Sequence, residues 1–218
     1  RYMINLLESV FNLTPDGETL DREGLLKIVQ QKAPGYDKDR DGHYNLISAL
    51  HKSLRGSDTD AALYWAARMI EGGEDPLYLL RRLTRFAMED VSLADPNALN
   101  VAIAAWDAYE RLGSPEGDIA IAELVIYLGT APKSNSAYLA YDAALADINT
   151  GKGQSIPPYM RPSNNYAGYK YPHDFPNRYV VQQYLPDDLK DRKYYSYAEN
   201  KTEQAAMAYW DKIKNSTK

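Results

Sequence analysis

Cysteine is absent from all 218 residues, which excludes disulfides and every zinc site built on thiolates. Such a composition suits a reducing compartment. Histidine is scarce, and His43, His51 and His173 form no H-E-x-x-H pair on one helix face. No run of eighteen apolar residues occurs, so no membrane span is expected. No basic, apolar leader opens the sequence either. The phosphate cradle G-x-x-x-x-G-K-[ST] is missing; Gly151-Lys152-Gly153 follows a helical pattern and lacks both the spacing and the preceding strand. No G-x-S-x-G nucleophile elbow is found. Without a nucleophile and base in view, the chain by itself gives no reason to expect catalysis.

What is present is a 44% hydrophobic share, enough for a true core in one large domain or two small ones. Lys and Arg number 25 against 30 Asp and Glu, a net charge of −5. That balance argues against a globally basic nucleic-acid surface and leaves room only for a local patch. Tyrosine, with 19 copies against 3 phenylalanines, dominates the aromatics. The sequence starts at Arg1 directly in a helical pattern, YMINLLESVF, and reads as part of something longer.

Residues 36–48, YDKDRDGHYNLIS, carry half of a calcium loop: Asp37, Asp39 and Asp41 alternate and Gly42 follows. The closing Glu of such a loop is replaced by Ser48, and Ala33-Pro34-Gly35 breaks the helix that should lead in. A polar turn ahead of a helix is the better reading, because helix N-termini favour acids.

Helical periodicity and caps run through the first 150 residues. Two amphipathic helices are expected at about 2–12 and 21–32, joined by Thr14-Pro15-Asp16-Gly17. A third covers about 43–54 and ends at Gly56. The next opens on Ser57 and Asp60 as a capping box and closes on Gly72-Gly73. Asp75-Pro76, Asp95-Pro96 and Ser114-Pro115 each place a cap before a proline at the first helical position, where its missing N–H costs nothing. A further helix is expected at about 134–148 before Thr150-Gly151. Connections this short turn neighbouring helices back on one another. The expected fold is all-α, a compact helical bundle or array. No repeat period marks a solenoid.

Residues 119–128, IAIAELVIYL, are apolar on every side except at Glu123, so the helix must be covered on every side. It is either central to the domain or part of a subunit interface, with Glu123 a paired buried acid or a rim residue. From about Ser155 prolines and nine tyrosines between 159 and 197 replace helical periodicity, which suits an irregular arm lying across a folded surface. A short strand around 179–182 and a last helix at about 201–214 complete the reading. Arg81, Arg82 and Arg85 lie opposite Leu79, Leu83 and Phe86 on one helix. They are either a phosphate-binding triplet or a solvated face paired with acids such as Glu89.

HYNLISALHKSLRGSDTDAALYWAARM, GGEDPLYLLRRLTRFAMEDVSLADP, APKSNSAY and YKYPHDFPNRYVVQQYLP stand in that order over about 36–195. In these motifs the sequence resembles the C-terminal region of the replication-associated recombination protein A family, the RarA/MgsA group of AAA+ ATPases related to Werner-helicase-interacting protein. The half calcium loop falls in that family's linker motif. The resemblance implies a clamp-loader-collar type of fold with three parts: 1–35 as the tail of a helical lid, 36–154 as an oligomerisation domain, and 155–218 as an arm and terminal helix packed on it. It further implies a homotetramer whose parent uses ATP and Mg, binds single-stranded or gapped DNA and single-strand-binding protein, and works at replication forks in the cytoplasm, on the nucleoid. Arg1 falls where the family has an ATP-sensing arginine. Between Met160 and Tyr169 the family's longer Lys- and Leu-containing connector is absent, so this member is shorter there or a segment is missing. On this reading Ile119, Ile121, Leu124, Val125 and Leu128 supply the self-association core together with the Ala-rich 98–148 region. Arg81, Arg82 and Arg85, with the tyrosines, are the nucleic-acid alternative. A groove for the acidic, apolar tail of single-strand-binding protein is a third.

Overall fold

The computed structural model describes residues 40–216 and, before them, 7, 10, 11, 14 and 21–25. Arg1, the acids Asp37 and Asp39, and most of the helices expected at 2–12 and 21–32 lie outside these. The fold is all-α, with no strand among the described residues. Seven α-helices are described: α1 (Arg40–Arg55), α2 (Thr59–Glu71), α3 (Pro76–Phe86), α4 (Ala98–Leu112), α5 (Asp118–Thr130), α6 (Ser136–Asn149) and α7 (Lys201–Ser216). Gly42, which a calcium loop would hold in a sharp turn, is already helical in α1.

The chain forms two compact units. The first joins the residues up to Ala87 with Leu99–Ala131. Here α1 and α2 pack together and both pack on α5, as does α3. Leu50 and Leu54 of α1, Met69 of α2 and Phe86 of α3 are fully buried. The T-shaped pair His51–Phe86, ring centroids 5.8 Å apart, closes one end of this core. Gly129 permits the closest approach: a Cβ there would meet Thr59 Oγ1 at 2.7 Å.

The caps explain where these helices start and stop. Asp75 accepts from Leu77 N at 3.0 Å and Pro76 opens α3, as the sequence pattern demands. The start of α2 differs from expectation. Asp58, not Ser57, is the N-cap, accepting from Ala61 N at 2.9 Å, while Ser57 takes a left-handed φ of 55°. At its other end Gly73 N donates to Ile70 O and Glu74 N to Met69 O, a Schellman motif with Gly73 at φ 90°. The Ser114-Pro115 pair also departs from the pattern. Its peptide is cis, residues 114–117 form a turn, and α5 begins only at Asp118, whose carboxylate accepts from Ser114 Oγ.

The second unit joins Met88–Ala98 to the chain from Pro132 onward. A π-helical turn at Ala87–Val91 and a 3-10 turn at Ser92–Ala94 lead it off, and both α6 and α7 pack on the latter. Its fully apolar interior is thin: Val91, Ala94, Ala98, Leu189 and Ile213. Buried polar groups take over much of the work, namely Ser134, Ser136, Asp147 and Glu203. Residues 158–189 are a succession of short 3-10 turns, most opened by proline, and the strand expected around 179–182 does not form. Proline supplies the fixed φ of each turn and withholds the N–H a strand would need.

Candidate functional site

Helix α6 inverts the usual amphipathic rule. Its buried residues are the polar Ser136 and Asp147. Several of its large apolar side chains are exposed, Leu139 at 55%, Tyr141 at 66% and Ile148 at 60%, while Leu145 and the alanines 137, 140, 143 and 144 are half-buried. Helix α4 shows a milder form of the same arrangement. It buries the alanines 98, 102 and 105, spaced i, i+4, i+7, and leaves the larger Leu99 and Ile103 exposed. Trp106 continues that outer row, held by an Nε1–H bond of 3.0 Å to Glu110 Oε1.

Asp147 fixes the end of α6. Lys152 Nζ reaches its Oδ1 at 3.0 Å; Arg192 Nε and the Tyr194 hydroxyl reach its Oδ2 at 2.7 and 3.1 Å. The Lys152 contact, opposed by burial and aided by Arg192 and Tyr194, holds the Asp147 carboxyl below its ordinary range. Glu203 fixes the start. Its Oε1 accepts from Ser134 Oγ and Asn200 Nδ2, its Oε2 from the Tyr195 hydroxyl and Ala198 N. Burial pushes this carboxyl up. The bonds from Ser134, Ala198, Asn200 and Tyr195 outweigh that effect and hold it down at about 2. Burial, reinforced by the Glu203 anion, pushes the Tyr195 hydroxyl up to about 12. The two clasps set the position of α6 within its unit, and with it the outward face.

The residues singled out from sequence divide. Ile121, Leu124, Val125 and Leu128 are fully buried in the first unit's own core. Ile119, 71% exposed, stands outside it with Ile126, and Glu123 is exposed beside them. Periodicity accounts for this: 119, 123 and 126 share one helix face. Arg81 is exposed and 3.3 Å from Asp75, with its guanidinium over Tyr78. Arg82 Nε is buried without a hydrogen-bond partner, and Arg85 is exposed. Arg1 is outside the described residues. Sequence reasoning passed over Leu139, Tyr141 and Ile148 individually; by helical periodicity Tyr141 and Ile148 share one side of α6 and Leu139 stands on the opposite side, so no single apolar stripe marks them in the sequence. Among the described residues no three His, Asp or Glu side chains gather as a metal site, and no helix is long and apolar enough to cross a membrane.

The family described as "MgsA AAA+ ATPase C terminal" matches residues 56–214, and "AAA C-terminal domain" matches 1–55. The chain belongs to the MgsA AAA+ ATPase C-terminal family. Replication-associated recombination protein A of Haemophilus influenzae is 44% identical over 207 residues, covering 89% of this chain and 46% of that protein. Its namesake in Bacillus subtilis is 44% identical over 209 residues, 91% and 49%. ATPase WRNIP1 of Dictyostelium discoideum is 40% identical over 187 residues, 82% and 21%. The chain thus spans about half the length of the first two.

Proposed function

We propose that this chain is the self-association part of an AAA+ ATPase that acts in replication-associated recombination, holding copies of an attached motor together as a homotetramer. The observation that carries the reading is the inversion on α6, where Leu139, Tyr141 and Ile148 face out while Ser136 and Asp147 are buried. Within the first unit, Leu99 and Ile103 of α4 and Ile119 of α5 are further exposed apolar side chains.

The chemistry of ATP and Mg belongs to the motor. The residues described here offer neither a phosphate cradle nor a metal cluster, so they do not fit that cofactor, and no step through it is assigned to them. The bacterial relatives are named for replication-associated recombination. We extend that to the whole protein, with single-stranded or gapped DNA and single-strand-binding protein as partners and the nucleoid as its place in the cytoplasm. Light scattering on the chain tests the self-association: Leu139→Asp, at an exposed position, lowers the mass while leaving the fold intact. An unchanged mass rejects the α6 face.

A further inference from the structure

Toward the ends of the arm Tyr159, Tyr179, Tyr194 and Tyr195 are half-buried. Residues 161–178 are not. Every one of them but Pro172 is exposed, including Tyr166, Tyr169, Tyr171 and Phe175. The backbone of this stretch is nevertheless held by the arm's own bonds. Asp174 N donates to Tyr171 O at 3.0 Å, Lys170 N to Gln182 Oε1 at 2.9 Å, and Asn164 Nδ2 to Pro158 O at 3.1 Å. The Tyr159 hydroxyl ties the base of the arm to Gln183 O.

At its centre Tyr171 and His173 flank Pro172, with ring centroids 5.0 Å apart and planes tilted by 34°. Arg178 Nη1 donates to His173 Nδ1 at 2.8 Å, which leaves the rest of its guanidinium fork open to an acceptor. Arg178 and Tyr166 hold left-handed backbone, φ 52° and 55°, uncommon for residues of this bulk. The charge is local as well. Within 161–178 stand Arg161, Lys170 and Arg178 against the single acid Asp174, in a chain whose net charge is −5.

We propose that this part of the arm is a stacking platform for single-stranded nucleic acid, with Tyr171 and His173 facing bases and Lys170 and Arg178 holding phosphates. Aromatic faces accept any base, and cations beside them track the backbone, which is the way strands are held without reading sequence. A backbone ordered in advance loses little freedom when a strand arrives. An acidic peptide would use the cations but gain little from flat, outward rings. The proposal rests on the reading that the whole protein works on DNA, and it is independent of the α6 face.

Fluorescence anisotropy of a labelled oligothymidylate at low salt, with the full chain, tests it. The wild type binds, and affinity falls steeply as salt rises. Tyr171→Ala weakens binding by about tenfold and Tyr171→Phe keeps it, because only the ring face matters. Arg178→Ala reduces the salt slope by about one. Tyr171 is 52% exposed, so an unchanged melting curve is expected for both tyrosine variants. No binding at low salt, unaltered affinity in Tyr171→Ala, equal affinity for duplex, or equal competition by oligoglutamate each overturns the proposal. A fall in oligomer mass in Tyr171→Ala does so too, since the arm would then be a contact between copies. Failure of binding with the mass unchanged leaves the self-association reading standing.

Discussion

Ser134 Oγ donates to Glu203 Oε1 at 2.5 Å, joining residues that are 69 apart in sequence. The same Ser134 sends its N–H to Asp90 O, and Thr202, beside Glu203, donates to Ala94 O. Three segments remote in sequence therefore meet at one buried carboxylate, to which Ser134, Tyr195, Ala198 and Asn200 donate uncharged hydrogen bonds. Removing it orphans several donors at once. Glu203→Ala is expected to destabilise the chain by about 3 kcal/mol. Glu203→Gln recovers only part of that, because its amide nitrogen meets donors. Calorimetric melting of the two variants checks the order.

The pH dependence follows from the same group. Glu203 is held at about 2 in the folded chain against an ordinary 4.5. A depressed carboxyl contributes stability that is complete above its unfolded value, so the contribution persists above pH 4.5 and is lost as pH falls toward 2. Asp147, also depressed, acts in the same direction. At the other extreme Tyr195, raised from 10 to about 12, contributes fully below pH 10 and loses that contribution as pH rises toward 12. Melting temperatures from neutral pH down to pH 3 should fall more steeply for wild type than for Glu203→Gln. Parallel curves would refute the assignment.

Gly129 marks a contact in the first unit that no side chain can enter. Its Cβ would lie 2.7 Å from Thr59 Oγ1 and 3.2 Å from Thr59 Cγ2. Gly129→Ala is expected to cost about 2 kcal/mol by overpacking. Combined with Thr59→Ala the loss should shrink, since Oγ1 and Cγ2 are gone and only the Thr59 Cβ, at 3.2 Å, remains close. A double-mutant cycle by urea unfolding measures the coupling, and simple additivity would argue against the clash.

Asp58→Ala removes the N-cap of α2 and should cost about 1 kcal/mol, whereas Ser57→Ala should cost little. Chemical denaturation of the two variants distinguishes which residue caps the helix.

Much of the helical frame was legible because caps are local. Asp75-Pro76 and Gly72-Gly73 specify their helix ends within a few residues, and the structure keeps both. Ser114-Pro115 carries the same signature yet lies in a turn before α5, because a proline after serine suits a turn as well as a helix start. The segment 119–128 was read as apolar on every side, and the first unit covers Ile121, Leu124, Val125 and Leu128 but leaves Ile119 outside. Which side of a uniformly apolar helix meets its own chain is decided by partners remote in sequence. The clasps were illegible for the same reason: nothing near Asp147 announces Arg192, and nothing near Ser134 announces Glu203. Proline and tyrosine density did announce the arm, though not that residues 161–178 would stand exposed.

The mass of the chain in solution, measured by sedimentation or light scattering from sub-micromolar to tens of micromolar, tests the central claim most directly. The account predicts an oligomer that Leu139→Asp or Tyr141→Asp returns to monomer without loss of helicity. A monomer at every concentration, with Leu139, Tyr141 and Ile148 of α6 left open to water, would contradict it.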